Sequence, residues 1–327
     1  MIKSCQKKYN ISDELIAKLD VLLHECTLCP HECRVNRHTS SKGFCKAGYD
    51  PEISSAMAHH GEEPPISGSF GSGTIFFTHC NMKCVYCQNY QISQEGHGRF
   101  SSVPELSKKM LSLQQTGCHN INLVSPTIWI PQIIKAVADA AAKGLYIPLV
   151  YNTGGYDKSE IIKMLDGIVD IYMPDIRYSS NEMAFKYSGV KNYVENSRAA
   201  IKEMHRQVGG LVLDRNGIAL KGLLIRLLVL PDNIGGVKDT LDFIKNELSE
   251  DIGLSIMAQY HPEYKAYRYP ELSRNVTAGE YREVTSYAEK LGFENGWVQD
   301  HFSLSVEDMF RPDFKKEKVF KYYEDNK

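Results

Sequence analysis

Apolar positions along the chain change rhythm near residue 73. Beyond it, short unbroken apolar runs alternate with longer segments whose apolar residues recur every three or four positions. TIFFTH (74–79), HNINLVS (119–125), LYIPLVY (145–151), IVDIYM (168–173), GLLIRLLVL (222–230) and GLSIMAQY (253–260) predict strands. Helices are predicted over 103–117, 130–144, 158–167, 193–209, 237–248 and 277–292, the first two closed by Gly117 and Gly144. Strands with no polar alternation are covered on both faces, as in a parallel sheet joined by right-handed crossovers. Six such units are fewer than the eight that close a TIM barrel. The expected fold class is therefore α/β, an open partial (β/α)6 TIM-like barrel with ligands at the C-terminal strand ends. An Asn-Gly turn in LVLDRNGIAL (211–220) predicts a hairpin before the fifth strand.

Before residue 73 the pattern is different. SDELIAKLDVLLHEC (12–26) is a helix with Ser12 as its cap. From there to about Ser72 the chain is polar, rich in Gly, Pro and Ser, and aperiodic. It predicts an irregular cysteine-rich appendage followed by an extended run through GEEPPISGS (61–69). The expected division is 1–72 for helix and appendage, 73–300 for the barrel and 301–327 for a C-terminal extension.

Charge adds mainly exclusions. Lys and Arg total 38 against 40 Asp and Glu, a net charge of -2, so no basic excess points to a nucleic-acid partner. No apolar run approaches membrane-spanning length and the N-terminus lacks a signal-peptide core, so a cytoplasmic protein with no membrane partner is expected. In that reducing setting, nine cysteines argue for metal or reactive thiols over disulfides.

The cysteines are clustered. Cys80, Cys84 and Cys87 lie just past the first predicted strand, at the barrel mouth. Three thiolates can wrap one corner of a cubane and leave its fourth iron without a protein ligand, whereas an electron-transfer cluster takes four. An open position suits metal-assisted chemistry on a bound ligand. The competing use is a zinc site completed by a distant residue. Cys26, Cys29, Cys33 and Cys45 form the second group, with Cys-x2-Cys-x3-Cys-x11-Cys spacing. Four thiolates close a tetrahedral site, which fits a zinc knuckle folding a core-poor segment or a second iron–sulfur cluster. His24, His31 and His38 lie near enough in sequence to replace a thiolate. Cys118 is expected to be a small buried residue, and Cys5 to be incidental. His59 and His60 precede Glu62 and Glu63, but neighbours in an extended segment point opposite ways, so the two histidines are not expected to share a site.

CNMKCVYC (80–87) resembles the CxxxCxxC signature of radical S-adenosylmethionine (SAM) enzymes, with aromatic Tyr86 before the last cysteine. HHGEEPPISGSFGSGTIFFTHCNMKCVYCQNYQIS (59–93) resembles in particular the branch similar to pyruvate formate-lyase activating enzymes. The resemblance implies a [4Fe–4S] cluster on Cys80, Cys84 and Cys87, with SAM chelated to the open iron. Reduction would cleave SAM to a 5′-deoxyadenosyl radical that abstracts hydrogen from a protein, peptide or small-molecule substrate. It implies anaerobic oxidoreductase chemistry and a reductant such as flavodoxin or ferredoxin. It places Tyr86, Ser125, Thr127, Asn152 and Thr153 near SAM, with Asp175 of MPDIR beside SAM and a monovalent cation and Arg177 in a lysine's place. It also places Arg226 against SAM's carboxylate, and Gln259 and His261 at the mouth. Two departures bear on an activase of glycyl-radical enzymes. Such activases carry Gly before the first cysteine and Asn-Pro after the last, where this chain has His79 and Asn89-Tyr90. A non-catalytic iron–sulfur or zinc scaffold is the alternative of a different class.

Overall fold

The computed structural model describes residues 9–39, 41–249, 251–299 and 311–320. Cys5 and most of the 301–327 extension lie outside the described residues. The strands are β1 (Glu52–His59), β2 (Ser72–Phe77), β3 (Arg99–Phe100), β4 (Ile121–Val124), β5 (Leu149–Thr153), β6 (Ile171–Pro174), β7 (Val212–Leu213), β8 (Ala219–Leu228), β9 (Gly253–Met257) and β10 (Gly296–Val298). They form one open sheet in the order β10-β9-β8-β6-β5-β4-β2-β1-β3, with β7 paired to β8 as the expected hairpin. From β2 to β10 the strands along that path are parallel; β1 and β3 are added antiparallel at the β2 edge. The open α/β barrel is therefore as the pattern predicts, with a seventh parallel strand, β10, after the last helix.

The helices α1 (Asp13–Val21), α2 (Pro64–Ser67), α3 (Tyr90–Ser93), α4 (Val103–Gln115), α5 (Ile130–Ala142), α6 (Ser159–Lys163), α7 (Asn181–Ser188), α8 (Tyr193–Val208), α9 (Val237–Glu247) and α10 (Ala278–Lys290) include all six predicted crossovers. Local chemistry sets their starts. Ser12 accepts the Leu15 amide at α1. Ser102 with Glu105, and Thr277 with Glu280, form reciprocal capping boxes at α4 and α10. No described helix is long and apolar enough to cross a membrane.

The pleat sorts side chains into two layers. Ile121 and Leu123, Leu149 and Tyr151, Tyr172, Ile225 and Leu227, and Leu254 and Ile256 belong to the large core shared with the helices. The alternate positions Val150, Ile171, Met173 and Leu224 face the barrel lumen, where they pack on Ile66 of α2. The GEEPPISGS run is thus not extended as its lack of periodicity suggested. Two prolines start a single helical turn whose buried Ile66 plugs the lumen. The appendage joins the same large core through Leu19, Leu23 and Leu28.

Candidate functional site

Higher in the lumen the same inward register becomes polar. Asn152 of β5, Asp175 just past β6 and Arg226 of β8 line a cleft at the C-terminal strand ends, with Phe76, Val124, Leu228 and Met257 among its apolar members. Arg226 is held from three sides. Its Nε donates to Asp175 (2.7 Å), one terminal nitrogen to Glu62 (3.1 Å) and the other to Asn152 (2.7 Å). Asn122 donates to the other Glu62 oxygen (2.8 Å). The expected pairing of Arg226 with SAM's carboxylate meets a guanidinium already engaged by two carboxylates. Asp175 also accepts from Arg177. Burial pushes Glu62 and Glu63 upward, with Arg226 as the main opposing influence on each.

Arg177 differs from Arg226 in one respect that matters for ligands. It lines the cleft and its buried Nε has no hydrogen-bond partner. An orphaned charge-bearing donor of this kind costs free energy until an acceptor arrives.

The cysteine loop runs between β2 and α3 along the cleft rim. Backbone pairing clamps it: Lys83 and Val85 amides donate to Ser188 and Tyr187 carbonyls at the end of α7, and the Lys265 amide to the Val85 carbonyl. The three thiols are near enough to feel one another's charge, and each has a local partner. Cys80 Sγ accepts the Met82 amide (3.4 Å), Cys84 Sγ the Ser188 hydroxyl (2.9 Å), and Cys87 Sγ meets Ser93 Oγ (3.2 Å). Burial pushes the Cys80 thiol up to about 12 and Cys87 to about 11, with Arg177 pulling both the other way. Such thiols give up their protons to a bound cation and not to bulk water. Among the described residues no three His, Cys, Asp or Glu side chains are arranged to hold a single metal ion. A cluster spreading its thiolates over separate irons does not require that arrangement. Together with the unpaired Arg177 donor, this donor set fits an iron–sulfur cluster and an anionic ligand beside it.

The other predicted positions separate into two groups. Tyr86, Ser125, Asn152, Thr153, Asp175 and Gln259 line the cleft. Thr127 does not. It is buried and donates to Asp157 (2.7 Å), which also accepts from Tyr151 and Thr153. His261 is also absent from the lining, its Nδ1 lying 2.6 Å from Arg311. Thr127 therefore supports the floor behind Thr153, and His261 stands outside the cleft. His59 does line it, stacked on Phe320 (4.4 Å), while His60 is exposed, as opposite-pointing neighbours require. Glu62 was legible only as part of a weak His/Glu run, because the plug that lifts it beside Arg226 has no sequence period.

The four appendage cysteines line one small pocket with Arg37 and His31. Burial pushes the Cys29 and Cys45 thiols up. Cys33 Sγ accepts the Phe44 amide (3.3 Å), and His31 is committed to the Asn81 carbonyl (2.8 Å), one residue from Cys80. The sulfurs surround the pocket without closing the tetrahedron on one ion that their spacing predicts. Cys118 is buried, as expected.

Comparison with known proteins gives this geometry a context. Residues 74–244 match the radical SAM superfamily. An uncharacterised protein of Methanocaldococcus jannaschii is 30% identical over 298 residues, spanning 88% of this chain and 81% of its own length. A second uncharacterised protein of that organism is 23% identical over 294 residues, 80% of each chain. Streptococcus suis SuiB, solved with its precursor peptide SuiA, superposes with a TM-score of 0.48 at 11% identity. That match covers 73% of this chain, which spans about half (52%) of the SuiB chain.

Proposed function

We infer the activity from one premise, that this chain belongs to the radical SAM superfamily: it is an enzyme that cleaves SAM reductively to act on a protein, peptide or small-molecule substrate. The observation that carries the reading is a clamped loop that gathers Cys80, Cys84 and Cys87 within reach of one another's charge and brings Cys87 onto the lining of a polar cleft. When bound, the [4Fe–4S] cluster supplies the electron and the open iron; the protein supplies position and the exclusion of water.

The chain's own residues divide the remaining work. Arg177, which lines the cleft and has a buried Nε without a partner, takes the role of binding SAM's carboxylate. Asp175 orients it, bridging Arg177 and Arg226. Tyr86, Ser125, Asn152 and Thr153 line the same cleft and would hold the rest of SAM. Arg226 and Glu62 serve as a neutralised floor. A low-potential one-electron donor of the flavodoxin or ferredoxin type completes the reaction. The appendage cysteines are read as a second metal site, zinc or iron–sulfur, that fastens residues 26–45.

Anaerobic reconstitution followed by reductant and SAM tests the activity. 5′-Deoxyadenosine is the expected product, and its absence from fully loaded protein would leave the scaffold reading. A glycyl radical formed in a partner enzyme added to the same mixture would identify the narrower activase function. Metal and sulfide analysis of a Cys80/Cys84/Cys87 triple-alanine variant reports on the appendage alone.

A further inference from the structure

Three hydroxyls run in file from the cleft to one of the cluster cysteines. Tyr86, on the cleft lining, donates to the Tyr178 hydroxyl at 2.7 Å. Tyr178 and Ser188 hydroxyls are 2.7 Å apart, and Ser188 donates to Cys84 Sγ at 2.9 Å. Each hydroxyl owns one hydrogen. Ser188 commits its hydrogen to Cys84, so the hydrogen between Ser188 and Tyr178 belongs to Tyr178. All three protons therefore point the same way, toward the sulfur. Every member is enclosed: Tyr86 is 3% exposed, Tyr178 1%, Ser188 0% and Cys84 5%. In such a low-dielectric setting aligned hydrogen bonds polarise one another.

The file is also rigid. Ser188 is the last residue of α7, and its carbonyl accepts the Lys83 amide of the cysteine loop. The pairing that clamps the loop thus fixes the hydroxyl beside Cys84.

We propose that Ser188, Tyr178 and Tyr86 are positioning residues that set the reduction potential of the cluster held by Cys80, Cys84 and Cys87, by delivering an aligned file of hydrogen bonds to the Cys84 sulfur. The proposal rests on the radical SAM reading above. Reduction adds negative charge that spreads onto the sulfurs, and a donor at the sulfur stabilises that charge, raising the potential. The influence should fade with distance along the file. Ser188 acts directly, Tyr178 by strengthening the Ser188 donor, and Tyr86 through both.

The test is an EPR-monitored redox titration of reconstituted holoenzyme, with iron and sulfide counted in every variant. Ser188→Ala is expected to move the midpoint to a more negative potential, and Tyr178→Phe to move it in the same direction by less. An unchanged or more positive midpoint in iron-replete Ser188→Ala overturns the proposal. If the alanine variant does not load iron, the same result in Tyr178→Phe overturns it. Failure of the underlying reading looks different: wild-type protein then yields no 5′-deoxyadenosine whatever its potential.

Discussion

At the scale of single residues, the most informative position is His79. Activating enzymes carry glycine there, and His79 has φ of 64°, in the left-handed region that glycine enters freely. The chain must reverse its twist between β2 and Cys80, and here a histidine meets that demand with outside help. Its amide donates to the Ile92 carbonyl (2.9 Å) and its Nε2 lies 3.2 Å from Glu52 of β1. His79→Gly is therefore expected to load iron normally, whereas His79→Val, β-branched at positive φ, should lose both stability and iron, as thermal melts and iron counts would show. The two cleft arginines make a second contrast. Arg177→Gln removes an unpaired donor and one of the two arginines on Asp175, and should weaken SAM binding about tenfold or more while costing less stability than the loss of Arg226, which leaves Asp175 and Glu62 both short of a partner. Arg226→Gln takes from buried Glu62 its ionic partner and from Asp175 one of its two arginines, and should cost about 3–5 kcal/mol of stability. Calorimetric SAM titration and urea unfolding separate the two. The third case is His59, which burial and the nearby charges of His60 and Arg226 push down from 6.5 to about 4. The folded protein holds it neutral while the unfolded chain takes up a proton below 6.5. Its share of stability is whole above that pH and is lost as pH falls toward 4. His59→Gln should flatten that part of the stability–pH curve, measured by urea unfolding at about pH 7.5 and about pH 5.

At the scale of elements, α2 has the largest effect for its size. One turn carries fully buried Ile66 into the lumen and sets Glu62 at the cleft floor. Ile66→Ala should destabilise by about 2–5 kcal/mol, because strand residues on several sides cannot all collapse into the void. A cleft whose floor has sunk should also bind SAM less tightly, which the same calorimetry would register. The element shows no sequence period because four residues are too few for one. β1 escaped notice for another reason: EISSAMAH has a single β-branched residue, and its burial comes mostly from lying between β2 and β3. The three residues of β10 are likewise made a strand by pairing with β9. The turn after β5 has the opposite character. Gly155 has φ of 77°, and a Cβ there would stand 2.3 Å from the Asp175 carbonyl. The reason for that glycine lies beside the neighbouring strand, β6, and the local sequence carries no sign of it.

For the molecule as a whole, the appendage and barrel share one apolar core and several polar ties. Buried Arg37 donates to the Ile128 and Gly48 carbonyls, Lys158 pairs with Glu32, and His31 bonds the loop that carries Cys80. A metal at Cys26, Cys29, Cys33 and Cys45 would therefore stabilise more than its own loops. Stripping metal from the Cys80/Cys84/Cys87 triple-alanine variant should lower the melting temperature of the whole chain in a single transition. Two transitions would show that the appendage unfolds on its own.

Periodicity alone specified the alternating strands and helices and hence the open barrel, because burial on both faces of a parallel sheet leaves an unbroken apolar mark on each strand. Spacing alone brought out Cys80, Cys84 and Cys87, since ligands on one short loop stay neighbours in any fold. The difference between the two arginines appears only in three dimensions. Arg177 and Arg226 look equivalent along the chain, each a cation at a strand end, and they differ in which carboxylates the sheet brings beside them. The hydroxyl file is the same kind of property: Tyr178 and Ser188 lie just before and at the end of α7, Tyr86 lies far from both in sequence, and the clamp between the cysteine loop and α7 brings them together on Cys84.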